Sequence, residues 1–313
     1  MAASRFVPSL IPCFLVVASF GSLMADDKPA APKTKRAQNP KVRPLPPDVR
    51  VERDIEYAKI GEQSLKLDIY RSGEHSGRAP LIVWIHGGGW SKGSKDNSPA
   101  AWLATHGYVV ASVQYRLTDV AKWPAQIDDC RAAIRWLRSN ADRFGIDPEL
   151  VGAWGSSAGG QLVSMLGVAD PPADEPVSSR VKAVCDYFGP SDLITQPKNV
   201  PGPGKTDADL AASNTAKLLG GIVRDIPDKA NAASPLHHVS AGDAPFLIVH
   251  GSKDDVVPLD QSERFQAKLE MSGVSSELYV IDGAGHGGPA FQKPEVRARV
   301  RQFFDKHLKN AAE

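Results

Sequence analysis

The chain has 313 residues, of which 42% are hydrophobic and 23% are charged, and its formal net charge is +1. This length and composition allow one α/β domain with a large core. The small net charge argues against a nucleic-acid or strongly acidic partner, and the sequence has no Cys/His clusters at the spacing of a structural zinc site.

The first residues have the pattern of a secretory signal peptide. Arg5 precedes an apolar run over residues 10–20, small residues follow up to Ala25, and polarity changes abruptly at Asp26. The apolar run is too short and too interrupted for a membrane span. We therefore expect cleavage near Ala25 and a secreted or periplasmic protein without stable membrane insertion, with a retained N-terminal anchor as the alternative.

Residues 26–47 are rich in Pro, Ala, Lys and Arg and contain almost no large apolar side chains. Such a segment cannot bury enough surface to offset the entropy cost of ordering it. We therefore expect a disordered linker, followed by a catalytic domain over residues 48–313.

Strands and helices alternate through this domain. Apolar or alternating runs predict strands at residues 54–60, 64–70, 81–85, 108–113, 150–154, 181–187, 246–249 and 277–281. Helical patterns lie near 98–106, at 124–144, from Gln161 onward, at 259–271 and at 295–308. This order predicts an α/β fold, with a mostly parallel central sheet, helices on both faces and an antiparallel N-terminal hairpin around Gly61-Glu62.

Residues 195–234 interrupt the alternation. They contain loop chemistry at Pro201-Gly202-Pro203-Gly204 and a helical composition over residues 208–219. An insertion after the sixth main strand lies over the C-terminal edge of the sheet, where it forms either a lid or substrate wall or a surface excursion with no role.

Two cysteines, Cys130 and Cys185, remain after the expected cleavage. An exported pair can form a disulfide. Cys130, however, lies in a helical pattern and Cys185 in an apolar strand, where a thiol packs as a small hydrophobic group. We expect two unpaired, buried thiols.

The pentapeptide Gly155-Ser156-Ser157-Ala158-Gly159 lies between a predicted strand and a predicted helix. This is the context of a nucleophile elbow, in which the serine occupies a sharp turn that leaves no room for neighbouring side chains. Only Ser157 has glycine two positions before and two positions after it, and so Ser157, not Ser156, is the predicted nucleophile.

A serine nucleophile requires a base, and the base requires an orienting acid. We expect the three residues in the chain order serine, acid, histidine, with the acid after a strand. The candidates for the acid are then Asp186, Asp192, Asp254 and Asp255. We prefer Asp254, with its neighbour Asp255 as the alternative. The histidine candidates are His237, His238, His250, His286 and His307. We prefer His286, because the glycines around it allow the imidazole to reach back across the sheet.

A glycine-rich loop, His86-Gly87-Gly88-Gly89-Trp90, follows the third predicted strand. Adjacent glycine amides can approach a tetrahedral intermediate and stabilise its oxyanion. The predicted oxyanion hole consists of Gly88, Gly89 and the amide of Ala158.

With these motifs in place, residues 52–310 resemble the serine esterases of the α/β-hydrolase superfamily that carry a His-Gly-Gly-Gly-Trp loop. These include hormone-sensitive-lipase-like enzymes and bacterial feruloyl and acetyl-xylan esterases. The likeness also includes three runs that look like scaffold: Val113-Gln114-Tyr115-Arg116-Leu117, Pro124-Ala125-Gln126-Ile127-Asp128-Asp129-Cys130 and Phe188-Gly189-Pro190-Ser191-Asp192-Leu193. Asp255 departs from the relatives, which often have proline there.

The resemblance implies hydrolysis of carboxylic esters without a metal or organic cofactor, and it implies a structural ion pair for Arg116. Our hypothesis is a secreted serine carboxylesterase for short acyl or aryl esters, with acetyl or feruloyl groups on polysaccharide as the expected substrates. The alternatives are a lipase, a peptidase of the prolyl-oligopeptidase type and a non-catalytic α/β-hydrolase that serves as a binding module.

Overall fold

The computed structural model describes residues 45–73, 77–96 and 98–309. The predicted signal peptide and almost all of the predicted linker lie outside these residues. None of the described helices is long and apolar enough to cross a membrane.

One sheet of eight strands forms the centre of the described residues, in the order β1-β2-β4-β3-β5-β6-β7-β8. The strands are β1 (Val49–Ile60), β2 (Gln63–Ser72), β3 (Ala79–Ile85), β4 (Val109–Val113), β5 (Ile146–Ser156), β6 (Ala183–Tyr187), β7 (Phe246–Gly251) and β8 (Ser276–Ile281). Each predicted strand is present. β1 pairs antiparallel with β2 and β2 antiparallel with β4, whereas all the remaining pairs are parallel. The predicted mostly parallel sheet with an N-terminal hairpin is confirmed.

Helices cover both faces of this sheet. The α-helices are α1 (Ala125–Ser139), α2 (Ala141–Phe144), α3 (Ala158–Val168), α4 (Asp207–Ala211), α5 (Asn214–Leu219), α6 (Pro227–Ala232), α7 (Asp260–Met271) and α8 (Pro294–Phe304). One apolar cluster joins the sheet to α1, α3 and α7, and a second joins the opposite face to α8 and a 3₁₀ turn at Ala101–His106.

Cys130 belongs to the first cluster and Cys185 to the second. Because the sheet separates them, the two thiols are unpaired and buried, as predicted.

Three predicted helices differ from the structure. The segment 124–144 is not one helix, because Asn140 leaves helical geometry and its side-chain amide donates to Trp136 O at 2.8 Å. Residues 98–106 form only a short 3₁₀ helix, Ala101–His106, which ends at Gly107 with φ 77°. The third, at residues 208–219, is divided into α4 and α5.

The division between α4 and α5 occurs at Ser213. The Ser213 hydroxyl accepts a hydrogen bond from Ala216 N at 3.0 Å and so begins a new helix. The segment 195–234 then packs on the main apolar cluster through Leu218, Leu219 and Val223, all of which are buried. This insertion is therefore anchored to the domain by its own hydrophobic side chains.

Candidate active site

The turn at Ser157 joins β5 to α3. Ser157 has φ 54° and ψ −120°, a conformation that costs energy for a residue with a side chain. A Cβ on Gly155 would lie 2.2 Å from Gly159 O, and a Cβ on Gly159 would lie 2.2 Å from Ile85 O. Close backbone contacts therefore require glycine at both positions. The strand β5 and the helix α3 on either side hold Ser157 in its strained conformation.

The structure brings Ser157, His286 and Asp254 together, although they are far apart in the sequence. His286 follows β8 and Asp254 follows β7. The Nδ1 of His286 lies 2.7 Å from Asp254 Oδ2, and its Nε2 lies 2.9 Å from Ser157 Oγ. Since the carboxylate can only accept, Nδ1 carries the proton and Nε2 accepts from the Ser157 hydroxyl. This is the arrangement of a hydroxyl nucleophile with its base and orienting acid.

Asp254 is held by four hydrogen-bond donors. Its Oδ1 accepts from the amides of Val256 and Val257, each at 2.9 Å, and its Oδ2 faces both His286 and His250. Burial by itself raises the pKa of Asp254, but the hydrogen bonds from His250, His286 and Val257 outweigh burial and hold that pKa well below its ordinary value. Asp254 is therefore a carboxylate throughout the neutral range.

The sequence identified His250 only as a candidate base. In the structure it is fully buried, with Nε2 at 2.8 Å from Val257 O and at 3.3 Å from Asp254 Oδ2. Both neighbours of Nε2 are acceptors, so Nε2 carries the proton, and Nδ1 accepts from the Ser262 hydroxyl at 2.6 Å. Its position at the end of β7, directly before Gly251, was the only sign in the sequence that it would lie near the predicted acid.

The remaining candidate acids lie elsewhere. Asp255 is exposed to solvent, whereas Asp254 is buried. Asp186 is buried and accepts from Gly189 N at 2.9 Å, and burial raises the pKa of Asp186 to about 6. Asp192 accepts from Arg264 at 3.0 Å.

The remaining candidate histidines also lie apart from Ser157. His237 is exposed, His238 donates to Ala232 O at 3.1 Å, and the ring of His307 packs against Phe303. Arg116 forms a two-pronged ion pair with buried Asp129, which agrees with the predicted structural role.

The glycine loop after β3 lies against the Ser157 turn. Gly88 and Gly89 have φ of 119° and 58°, and a Cβ on Gly87 would lie 2.7 Å from Ser156 O. Among the hydrogen bonds of the described residues, none uses the amide of Gly88, Gly89 or Ala158 as donor. These three predicted oxyanion donors are therefore unpaired within the described part of the chain, and Gly89 and Ala158 line one cavity with Ser157.

The loop is fixed by the side chains at its ends. The indole of Trp90 donates to Gln161 Oε1 at 3.0 Å, and the ring of His86 stacks on Tyr115 with centroids 4.4 Å apart. Burial lowers the pKa of His86 to about 4, so His86 is neutral near pH 7 and its Nδ1–H donates to Gly87 O at 2.8 Å. The loop is thus held in position before any substrate binds.

Two cavities lie near Ser157. The first measures about 50 Å³ and is lined by Gly89, Trp90, Ser157, Ala158, Pro190, Gln196, Lys198, Asn199, Ser213, Asn214, Thr215, Val256 and Val257. The second, of about 560 Å³, is lined mainly by aromatic residues and by the loop after His286: Trp84, Pro99, Ser156, Tyr187, Phe188, Gly287, Gly288, Pro289, Phe291 and Gln292. Within the described residues, no three His, Cys, Asp or Glu side chains are grouped so as to bind a metal ion.

Comparison with known sequences gives a consistent set of relatives. A family model described as BD-FAE matches residues 67–269. Esterase LipC of Mycobacterium tuberculosis is 31% identical over 240 residues, which cover 71% of this chain and 56% of LipC. An arylesterase of Saccharolobus solfataricus is 30% identical over 234 residues, covering 73% of this chain and 74% of the arylesterase. The chain spans about half the length of the first curated relatives that it matches.

Solved structures of similar fold are also esterases. A truncated carbohydrate esterase from gut microbiota superposes with a TM-score of 0.76 at 30% identity, covering 85% of this chain and all of that one. A thermophilic esterase from Thermogutta terrifontis, Est2, gives a TM-score of 0.67 at 27% identity, covering 87% of this chain and 99% of Est2. Further Est2 structures have propionate or butyrate bound.

Proposed function

This chain belongs to the BD-FAE family of α/β-hydrolases, and on that basis we propose that it is a serine carboxylesterase that forms an acyl-enzyme on Ser157. The observation that carries the proposal is the hydrogen-bonded chain from Ser157 through His286 to Asp254, with distances of 2.9 and 2.7 Å. The amides of Gly88, Gly89 and Ala158, which have no partner among the described residues, support the proposal as donors for the oxyanion that ester hydrolysis forms.

Acylation begins when Ser157 Oγ attacks the ester carbonyl carbon and its proton passes to His286 Nε2. The carbonyl oxygen becomes an oxyanion, which the amides of Gly88, Gly89 and Ala158 stabilise by hydrogen bonds. Asp254 keeps the proton of His286 on Nδ1 and stabilises the imidazolium. The carbon–oxygen bond to the alcohol then breaks, and the departing oxygen takes the proton from His286 Nε2.

Deacylation repeats these steps with water. His286 takes a proton from a water molecule, whose oxygen attacks the acyl carbon. The second tetrahedral intermediate collapses with transfer of the proton from His286 back to Ser157 Oγ, and the carboxylic acid leaves. No step requires a group other than the side chains and amides named above and the substrate.

The proposed substrates are short acyl or aryl esters, with acetyl or feruloyl groups on polysaccharide as the physiological class. The cavity that Ser157 itself lines measures about 50 Å³, a few times the about 10–15 Å³ that one water molecule requires, and this small volume supports a short acyl group. The carbohydrate esterase among the solved relatives and the propionate and butyrate bound to Est2 support the same range. We further propose that residues 48–313 form the catalytic domain, exported by a signal peptide over residues 1–25.

Turnover of 4-nitrophenyl acetate tests the mechanism. We expect Ser157→Ala and Asp254→Asn each to lower kcat/KM by about 10⁴-fold or more, since each removes one part of a unit. Asp255→Asn is the matched control at the exposed neighbouring carboxylate, and its rate should stay within about twofold of the wild type. Wild-type rates in Ser157→Ala, or equal losses in the two aspartate variants, would refute the assignment.

A further inference from the structure

The loop that carries His286 has little backbone support. Glycine lies on both sides of His286, and Gly287 has φ 84°. Among the hydrogen bonds of the described residues, none involves the backbone of residues 285–287. The imidazole depends instead on its side-chain bonds to Asp254 and Ser157. Once Ser157 is acylated, its oxygen has no proton to donate, so the imidazole then keeps only the bond to Asp254.

Phe188 supplies a further contact to this imidazole. The rings of Phe188 and His286 meet edge to face, with centroids 4.7 Å apart and planes at 63°. Phe188 is buried, and a Cβ on Gly287 would lie 3.4 Å from its ring Cζ. The Phe188 ring therefore packs against the imidazole and against the loop residue that follows it.

The backbone of Phe188 is strained. Its φ of 44° lies in the left-handed region, which is unfavourable for a residue with a large side chain. Its amide donates to Val249 O of β7 at 2.9 Å, and the next amide, Gly189 N, donates to Asp186 Oδ1 at 2.9 Å. These bonds hold the strained conformation on both sides. Strain that the surrounding structure maintains in this way is concentrated at functional positions.

Phe188 also lines the cavity of about 560 Å³, together with Tyr187 and Phe291. The same ring thus contacts both this cavity and the imidazole of His286. A smaller side chain at residue 188 would extend the free space toward His286. An imidazole on a loop flanked by glycine is then free to rotate into that space and away from Ser157.

We propose that Phe188 is a positioning residue, which holds His286 Nε2 in place during both acylation and deacylation. This role rests on the proposed esterase mechanism, in which His286 transfers a proton in each step. A different role, as a wall that binds the alcohol part of the ester, would affect acylation only, because the alcohol leaves before deacylation begins. The two half-reactions therefore distinguish a residue that positions His286 from one that binds substrate.

Pre-steady-state kinetics with 4-nitrophenyl acetate separate acylation, which releases 4-nitrophenol, from deacylation. Phe188→Leu keeps the Cβ, and with it the backbone strain, but removes the ring. We expect both rate constants to fall about tenfold or more, because a small displacement of a catalytic group is enough for such a loss. If the leucine variant does not fold, Phe188→Met is used, since it fills more of the same space without an aromatic ring.

Phe291→Leu is the matched control. Phe291 is 2% exposed, lines the same cavity and packs on Phe188 with centroids 4.7 Å apart. Its ring partners are Phe188 and Tyr187, and His286 is not among them. Both rate constants should stay within about twofold of the wild type in this variant. Equal losses in the two leucine variants, or a loss in acylation alone in Phe188→Leu, would overturn the positioning role.

A second measurement does not depend on turnover. The Nδ1–H proton of His286, which is bonded to Asp254, is observed by NMR and identified by its absence from His286→Ala. We expect this signal to be sharp in the wild type and in Phe291→Leu and broadened by exchange with water in Phe188→Leu. A sharp signal in Phe188→Leu shows that the imidazole does not need the ring, and the positioning role is wrong. If the signal depends on Phe188 but the wild type hydrolyses no ester, the esterase function falls and the positioning contact stands.

Discussion

At the scale of single residues, the environment of Asp254 separates it from its neighbour. The sequence left Asp254 and Asp255 as alternatives because both follow the same strand. Asp254 is buried and faces His286 and His250, whereas Asp255 is exposed. In a turn of this kind, one residue along the chain is enough to change which way a side chain points. The conformation of the turn therefore places Asp254, and not Asp255, against His286.

His250 gives a prediction about pH. Its Nε2–H donates to Val257 O at 2.8 Å and lies 3.3 Å from Asp254 Oδ2, where it disperses part of the carboxylate charge that acts on His286. Loss of this donor leaves more charge opposite His286 and stabilises its protonated form, so the acid limb of kcat/KM should move to higher pH. His250→Asn places its amide nitrogen at the Nδ1 position and loses the donor, and we expect a shift of about half a pH unit. The measurement is the kcat/KM profile for 4-nitrophenyl acetate.

His250→Gln is the matched control, because its amide nitrogen reaches the position of Nε2 and keeps a donor there. Both variants bury an amide in the same site and should lose similar stability, yet only His250→Asn should shift the profile. His250 also interacts electrostatically with the buried Asp186 on β6. Neither substitution alters Asp186. An identical acid limb in both variants would show that the role of His250 is structural only.

At the scale of elements, sequence patterns located the strands better than the ends of the helices. A buried strand is recognised by a short apolar run, which the sequence shows directly. The breaks at Asn140 and Ser213 depend on one side chain bonding to a nearby backbone group. The apolar residues keep their helical spacing across such a break, because the helices on either side of it both bury an apolar face. The sequence therefore predicts one helix where the structure has two.

The Ser157 turn predicts a steric effect on the strand–turn–helix unit. Gly159→Ala would place a Cβ 2.2 Å from Ile85 O, a backbone atom of β3 that cannot move without disturbing the sheet. We expect a loss of about 3 kcal/mol or more in the free energy of unfolding, measured by urea denaturation. Gly202→Ala is the control, since a Cβ there has no neighbour within 4 Å, and its effect should stay below about 0.5 kcal/mol. Equal stability of the two variants would contradict the packing argument.

At the scale of the whole molecule, the sheet order explains how distant residues form one site. β5, β6, β7 and β8 are neighbouring parallel strands, so their carboxyl ends meet at one edge of the sheet. Ser157, Asp254 and His286 follow three of these strands, and the glycine loop follows β3, the parallel neighbour of β5 on the other side. Residues separated by up to about two hundred positions are thereby placed around one hydroxyl group.

The whole chain also carries a prediction about export. If residues 1–25 are a signal peptide, protein recovered from the periplasm or medium of a bacterial host should begin directly after Ala25 when analysed by mass spectrometry. Leu15→Arg interrupts the apolar run and should abolish export, whereas Leu15→Val preserves the run and should leave export unchanged. An exported protein that retains Met1, or equal export of the two variants, would refute cleavage.

The sequence by itself predicted the fold class, which is confirmed, and it singled out Ser157, His286 and the glycine loop, which the structure brings together. These features depend on local rules: apolar runs form buried strands, and glycine occurs where a sharp turn or close backbone contact excludes a side chain. The tertiary structure decided what depends on the packing of separate segments. It selected Asp254 over Asp255, placed His250 against the carboxylate, separated the two thiols on opposite faces of the sheet and brought the amides of the insertion beside Ser157. No local pattern encodes the contact of Asp254 with His286, the separation of the thiols or the place of the insertion, because each depends on segments that only the folded sheet brings together.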